Sequence, residues 1–251
     1  MYSIGIDLGG TKIMTGLIGM DGTVVQSIEA PTLATEGPQK IIDRMKKSIS
    51  ILSEKIQPEL ILGIGIGAPG DLDLKHGVVR SAPNLPGWEQ VPLATTLEET
   101  FHTPVYLEND ANAAASAEHQ YGAGRGVHNL LYLTVSTGIG SGVILNGTIQ
   151  HGETGTFGEL GHMIIHPDGP RCGCGNRGCL EAVASGTAIQ RMAKEQYGFP
   201  LSAKDVAVRA QQGEKQAQVI LNTAYTYLGI GIVNGINLYD PAVIVVGGGV
   251  A

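Results

Sequence analysis

The stretch Asp-Leu-Gly-Gly-Thr-Lys at residues 7–12 predicts a tight glycine turn between two segments with strand patterns, 2–8 and 13–18. Consecutive backbone N–H groups in such a turn point outward and form a concave site for a phosphate. A second strand, turn and strand occurs around Ser-Thr-Gly-Ile-Gly-Ser-Gly at residues 136–142. Two such loops suit a polyphosphate, although each loop taken alone also fits an ordinary hairpin turn.

The order of predicted elements around the first loop repeats around the second. An α/β chain with two related lobes facing each other across a cleft explains this repeat, and we expect domains at residues 1–110 and 111–251. Hairpin turns are predicted at Asp21-Gly22 and Asn146-Gly147. Further strands are predicted at 23–28, 60–66, 104–107, 130–135 and 242–246, and helices from Pro38 and at 93–101, 111–119, 187–197, 203–211 and 214–236.

Composition narrows the possible partners. The net charge is −7, from 23 acidic and 16 basic residues, with no Lys/Arg-rich run, which argues against nucleic acid. We find no run of about 18 apolar residues and no signal-peptide pattern, so we expect a cytoplasmic protein with no membrane partner. Glycine makes up 37 of 251 residues, which favours ligand contacts made by the backbone.

The two glycine loops supply candidate phosphate ligands. The carboxylate of Asp7 could hold magnesium through water, while Thr11 and Lys12 add a hydroxyl and a positive charge. Neither loop has the GxxxxGK[ST] or GxGxxG pattern, which excludes a P-loop enzyme. The candidate phosphate-binding residues are Asp7, Gly9, Gly10, Thr11 and Lys12 in the first loop, and Thr137, Gly138 and Gly140 in the second.

All three cysteines, Cys172, Cys174 and Cys179, lie within eight residues, and His162 is ten residues upstream. This Cys3His set predicts a zinc site, with a redox or buried-thiol role as the alternative. Four protein ligands would close the coordination shell, so the zinc would be structural.

Asn109 and Asp110 follow a predicted strand and precede the predicted helix at 111–119. This position fits a helix cap followed by a first-turn acid, which is a structural role. The helix dipole there favours an ionised Asp110, which also suits an acceptor for a hydroxyl proton.

Several short motifs follow one another along the chain, at residues 7–12, 65–70, 108–113, 158–162 and 172–179, and at Glu181 with Ser185-Gly186. In this set of motifs the chain resembles the ROK family of sugar kinases and sugar-responsive repressors. The resemblance implies the two-lobed, ribonuclease H-like ATPase fold of actin and hexokinase, with a nucleotide cleft between the lobes.

The resemblance also implies the roles of site residues. It makes Asp110 the general base, and it gives His162 both a zinc bond and a bond to the sugar. Glu159 and Glu181, which alone also fit ordinary solvated acids, would bind hydroxyls near the anomeric carbon, while Asn84 and Asn109 would face the sugar. It further implies that Gly247 and Gly248 contribute to the ATP site and that magnesium accompanies ATP.

The expected function is ATP-dependent phosphorylation of a hexose, with glucose to glucose 6-phosphate preferred. Kinases for N-acetylmannosamine, N-acetylglucosamine, fructose or allose use nearly the same motifs and remain alternatives. A sugar-sensing repressor would need a DNA-binding domain before the first strand, which begins at Tyr2, and an actin-like ATPase would not need Glu159, His162 and Glu181. Family members usually continue beyond Gly249, so we expect a truncated form, and dimers are common among them.

Overall fold

The computed structural model describes residues 1–250, and Ala251 lies outside the described part. The chain divides into two compact units, Met1–Ala113 and Ala114–Ala251. Each unit has its own sheet and its own buried apolar clusters. A domain boundary after residue 110 stays a prediction.

The first unit is built on a five-stranded sheet of order β3-β2-β1-β4-β8. β1 pairs antiparallel with β2 and parallel with β4, and β4 pairs parallel with β8. The elements of this unit are β1 (Tyr2–Leu8), β2 (Lys12–Gly19), β3 (Val24–Pro31), α1 (Pro38–Ser53), β4 (Ile61–Ala68), β5 (Asp71–Asp73), β6 (Val78–Ser81), β7 (Glu89–Val91), α2 (Leu93–Phe101) and β8 (Val105–Asn109). Helix α3 (Asp110–Tyr121) begins in this unit and ends in the second.

The spacing of apolar residues explains how α1 covers this sheet. Proline occupies its first turn, where the missing N–H costs no helical hydrogen bond. Its apolar residues recur every three or four positions and are buried, so one stripe of the helix faces the core. These residues are Ile41, Ile42, Met45, Ile49 and Leu52.

A small antiparallel sheet, β5-β6-β7, was not predicted from the sequence. Its strands are three or four residues long, too short for alternation to be recognised. Residues 82–88 connect β6 to β7, and burial of Leu85 and Trp88, each 1% exposed, anchors the connection. The rest of the connection, including Asn84, is exposed apart from the buried Ala82.

The second unit repeats the sheet topology of the first. Its order is β11-β10-β9-β12, in which β9 pairs antiparallel with β10 and parallel with β12, as β1 does with β2 and β4. The predicted repeat is therefore present. The elements are β9 (Leu130–Val135), β10 (Ile139–Leu145), β11 (Thr148–Ile149), α4 (Leu180–Ala184), α5 (Gly186–Tyr197), α6 (Ala203–Gln211), α7 (Lys215–Tyr239) and β12 (Val243–Gly247).

Within the described residues, α7 is the one helix whose length and apolar composition would allow it to cross a membrane. This helix is not an uninterrupted apolar run, because Asn and Thr residues are interspersed along it, but its mean hydropathy is still 1.3. Length and composition alone are weak evidence, since core helices of soluble proteins have the same properties. α7 packs against α4, α5 and α6.

Candidate active site and metal centre

Three parallel strands bring the acidic candidates of the first unit together. Asp7 on β1 is in register with Gly67 on β4, which is in register with Glu108 on β8. Asp110 follows β8 directly, so it lies at the same edge of the sheet as Asp7. Gly67, between the two strands' acidic residues, lies close to Asp110: a Cβ on Gly67 would be 3.6 Å from the Cα of Asp110.

The first glycine loop is closed by its own backbone and by Thr32, the residue that follows β3. The N–H of Gly9 donates to the carbonyl of Lys12 at 3.0 Å, and a Cβ on Gly9 would lie only 3.0 Å from that oxygen. The buried Thr32 donates its hydroxyl to the carbonyl of Gly9 at 2.6 Å and its N–H to the carbonyl of Thr11 at 2.9 Å. The loop is thus held rigidly from one side.

A candidate sugar ligand, Asn84, and a candidate phosphate ligand, Lys12, lie beside the first glycine loop. Asn84 lies beside Gly10, where a Cβ would be 3.5 Å from both the Cβ and the carbonyl oxygen of Asn84. Lys12 points its amine at Glu29 on β3, forming a 3.1 Å ion pair with both side chains more than half exposed. In this structure the charge of Lys12 is therefore engaged by a surface carboxylate.

Asn109 caps α3, as its position in the sequence predicts. Its Oδ1 accepts hydrogen bonds from the N–H groups of Ala111 at 2.9 Å and Asn112 at 3.2 Å. Asp110 accepts a hydrogen bond from the N–H of Ala111 at 2.8 Å.

The pKa of Asp110 is raised above its usual value of 3.8. Desolvation by the surrounding protein is the largest cause, the negative charge of Asp7 adds to it, and the hydrogen bond from Ala111 opposes it. The first-turn position favours the ionised carboxylate, and burial of the same group opposes this effect. Desolvation also raises the pKa of Asp7, with Lys12 lowering it.

Glu108 and Asn112 form hydrogen bonds at the junction of β8 and α3. Their roles were not predicted from the sequence. The side-chain amide of the buried Asn112 donates to Glu108 Oε1 at 3.2 Å, and the N–H of Asn109 donates to the same oxygen at 2.8 Å. The signal that could have found them is their spacing of four residues across the start of a helix.

In the second unit the four predicted metal ligands come together. One ligand atom from each of His162, Cys172, Cys174 and Cys179 lies within 4.8 Å of all the others. His162 Nδ1 is 3.6 Å from the sulfur of Cys172, and the sulfurs of Cys174 and Cys179 are 3.6 Å apart. Zinc with Zn–S bonds of about 2.3 Å would hold tetrahedral sulfur ligands about 3.8 Å apart, so the donor set and its spacing fit zinc.

Electrostatics at this cluster depend on burial. Cys172 and Cys179 are buried and Cys174 is exposed. Burial raises the pKa of the Cys179 thiol to about 12, and hydrogen bonds with Cys174 and Cys172 add to the rise. A hydrogen bond from the backbone of Asn176 lowers the pKa of Cys174. A bound zinc ion would deprotonate such thiols, so metal binding at this cluster would release protons.

The segment carrying Glu159 and His162 is fixed against β10. The hydroxyl of Ser141 donates to the carbonyl of Gly158 at 2.5 Å and accepts from the N–H of Leu160 at 3.0 Å. Gly161 has no room for a side chain, since a Cβ would lie 2.0 Å from the carbonyl oxygen of Ile139.

The candidate phosphate residues of the second unit lie at the ends of β9, β10 and β12. Thr137 and Gly138 form the turn between β9 and β10, whereas Gly140 lies within β10, paired with Thr134. Gly248 has φ of 103°, and a Cβ there would lie 2.3 Å from the carbonyl oxygen of Val135. Gly247, the last residue of β12, approaches the hydroxyl of Tyr132.

Glu181, on α4, lies between the second glycine loop and the cysteine cluster. Its Oε2 accepts a hydrogen bond from the N–H of Ile139 at 2.9 Å, and its Oε1 is 3.8 Å from the sulfur of Cys172. The structure therefore brings Glu181 and His162 to the same cluster.

Comparison with known proteins identifies relatives over the whole described chain. A family model described as the ROK family matches residues 3–251. A glucokinase of Thermotoga maritima is 38% identical over 262 residues, covering 99% of this chain and 82% of its own length. An N-acetylmannosamine kinase of Escherichia coli O1:K1 is 37% identical over 250 residues, covering 100% of this chain and 84% of its own.

Among solved structures, a ROK family glucokinase from Streptomyces griseus, in complex with glucose and AMPPNP, has a TM-score of 0.85. It is 33% identical, and the match covers 100% of this chain and 84% of that one. The expected actin-like α/β fold is confirmed by this likeness.

Proposed function

Because the chain belongs to the ROK family, we propose that it is an ATP-dependent hexose kinase that converts glucose to glucose 6-phosphate. Glucokinases among its relatives and the glucose and AMPPNP complex of a similar structure support this assignment. The observation that carries it is the placement of Asp110 beside Asp7 at the carboxyl edge of the first sheet, next to a glycine loop.

In the reaction we propose, the hexose hydroxyl oxygen attacks the γ-phosphorus of ATP. The bond from that phosphorus to the bridging oxygen breaks, ADP leaves, and the hydroxyl proton passes to the carboxylate of Asp110. The amide of Asn109 and the side chain of Asn84 are our candidates for orienting the sugar in the first unit. Asp7 is our candidate for holding the magnesium ion of Mg·ATP through water.

In the second unit, the cluster geometry supports a role in sugar recognition. His162 presents Nδ1 to the cysteine sulfurs, which leaves Nε2 as the atom that would bond a sugar hydroxyl. Glu159 and Glu181 are our candidates for accepting hydrogen bonds from other hydroxyls. Once a bound sugar covers these carboxylates, leaving one of them without a hydrogen-bond partner would cost about 1 to 3 kcal/mol, which is enough to distinguish epimers.

We assign the Cys3His cluster to structural zinc held by His162, Cys172, Cys174 and Cys179. When bound, zinc would fix the orientation of the imidazole and close the cysteine loop. Thiolate ligands of this kind persist in a reducing compartment, which agrees with a cytoplasmic location. A homodimer stays a prediction from the family resemblance.

The N-acetylmannosamine kinase among the relatives makes that sugar the second candidate substrate. ADP formation with ATP alone and with each of glucose, N-acetylmannosamine, N-acetylglucosamine, fructose and allose distinguishes the candidates. We expect turnover to depend on hexose and kcat/KM to be highest for glucose. ATP consumption that is equal with and without hexose would refute the kinase assignment.

Asp110→Asn tests the proposed base in the same assay. We expect turnover to fall by about 10² to 10⁴, because proton transfer by a positioned side chain contributes a factor of that size. Hexose binding measured by calorimetry should persist. Asp43→Asn is the matched control, because Asp43 is an exposed carboxylate on α1, and it should keep the wild-type rate. A near wild-type rate for Asp110→Asn would remove this residue from the mechanism.

A further inference from the structure

The second glycine loop is held from outside by the carboxylate of Glu181. The N–H of Ile139 is the first of β10, and it donates to Glu181 Oε2 at 2.9 Å across 42 residues of sequence. A Cβ on Gly138 would lie 2.3 Å from the same oxygen, so a side chain there would displace the carboxylate. Glycine at this position therefore leaves room for the carboxylate to lie against the loop.

The start of α5 holds the loop at a second point. The N–H of Gly186 donates to the carbonyl of Ser136 at 2.8 Å. The carbonyl of Thr137 accepts from both the N–H of Thr187, at 3.2 Å, and its hydroxyl, at 2.8 Å. The first N–H groups of α5 are thus used on the loop and do not remain for a phosphate.

These contacts determine where the N–H groups of the loop point. In a planar trans peptide the C=O of one residue and the N–H of the next point in opposite directions. Fixing the carbonyl oxygens of Ser136 and Thr137 toward α5 therefore aims the N–H groups of Thr137 and Gly138 away from it. Two successive N–H groups held in this way form an anion-binding concavity without reorganisation when the anion arrives.

We propose that Glu181 and Thr187 are positioning residues that hold the Thr137-Gly138 turn in the conformation that binds the nucleotide phosphates. This inference rests on the proposed function and gives Glu181 a second task besides sugar recognition. Its Oε2 accepts the hydrogen bond from the N–H of Ile139, while its Oε1 lies toward Cys172 in the metal cluster. The side chain of Thr187 contacts the loop through its hydroxyl, so this group can be removed while the backbone N–H of Thr187 keeps its hydrogen bond to Thr137.

Amide hydrogen exchange on ¹⁵N-labelled, zinc-loaded protein tests the positioning without any substrate. In Glu181→Ala we expect the Ile139 N–H to exchange about 10-fold faster, because a charge-assisted hydrogen bond is lost. Glu181→Gln keeps an acceptor oxygen of the same reach and should stay within about 3-fold of wild type. Glu159→Ala, which removes another candidate sugar ligand of the same unit, should leave Ile139 unchanged. Unchanged exchange in Glu181→Ala would overturn the proposal.

Calorimetric titration with Mg·AMPPNP in the absence of sugar tests the consequence for the nucleotide. Glu181→Ala should weaken binding about 10-fold and Thr187→Val about 3-fold, in line with one charged and one neutral hydrogen bond. Thr187→Ser should restore binding, and Thr226→Val, an exposed hydroxyl on α7, should leave it unchanged. Thermal unfolding of each variant checks that the protein is folded.

The outcomes separate the two proposals. If wild type phosphorylates hexose but Glu181→Ala and Thr187→Val bind the nucleotide as wild type does, the positioning role is wrong and the kinase assignment stands. If wild type binds no nucleotide and phosphorylates no hexose, the proposed function fails and the nucleotide role fails with it.

Discussion

Asp110 experiences opposing electrostatic effects within a few ångströms. The N–H of Ala111 stabilises its ionised form, whereas desolvation and the charge of Asp7 destabilise it, and the net result is a raised pKa. A general base must be unprotonated to accept a proton, and a higher pKa makes the carboxylate a stronger acceptor once it is ionised. The raised pKa thus makes the Asp110 carboxylate a stronger base, but it also means that Asp110 is ionised only at higher pH.

A pH profile tests this account. Because the base must be ionised, kcat/KM for hexose should rise with pH through the pKa of Asp110, with a midpoint above 3.8. Asp7→Asn removes a like charge, which lowers the pKa of Asp110 and should move the midpoint to lower pH even if the maximal rate falls. Asp43→Asn should leave the midpoint in place. An identical midpoint in Asp7→Asn would contradict the coupling of the two carboxylates.

At the scale of elements, the junction of β8 and α3 combines structural and functional tasks. Asn109 uses its Oδ1 to cap the helix, and its amide nitrogen is the group proposed to face the sugar. Glu108 and Asn112 brace the same junction from the strand and from the first turn. The segment 108–112 therefore both orients the side chain of Asp110 and stabilises the first turn of α3.

Substitutions at Asn109 can separate these tasks. Asn109→Ala should lower the free energy of unfolding by about 1 kcal/mol through loss of the cap, as measured by urea denaturation. Asn109→Ser should recover most of that stability, because serine also caps well, yet it should still bind hexose more weakly because the amide is gone. Gln120→Ala, at an exposed position of α3, is the control for stability. Full hexose affinity in Asn109→Ser would refute the sugar contact.

On the scale of the whole molecule, the two units use the same sheet topology but stabilise it differently. The first has one large apolar cluster that includes the protein's only tryptophan, Trp88, at 1% exposure. The second distributes its core over several smaller clusters and contains the predicted metal ligands. Metal should therefore matter most to the second unit.

Metal removal tests this division. Dialysis against a chelator should lower the melting temperature measured by circular dichroism on the order of 10 °C, since structural zinc contributes several kcal/mol. It should also raise the KM for hexose, while the emission maximum of Trp88 at 25 °C stays unchanged. Restoring zinc should reverse both changes. A chelated protein with unaltered melting temperature and KM would contradict a structural zinc.

Sequence alone determined the features that depend on near neighbours along the chain. The bounds of Leu93–Phe101, Leu130–Val135 and Ala203–Gln211 match their predicted ranges, because apolar periodicity and local start and stop residues define them. The Cys3His set was also predictable, since three of its four ligands lie in one short loop.

Contacts between segments that are distant in the sequence became visible only in the folded chain. It placed Glu29 against Lys12, Asp7 beside Asp110, and Glu181 on the N–H of Ile139. No local pattern encodes these contacts, because each depends on how strands and helices remote in sequence pack together. The pKa of Asp110 shows the physical reason most clearly: the position of this residue in the first turn of a helix can be inferred from the sequence, but the desolvation that raises its pKa exists only after the surrounding protein has folded.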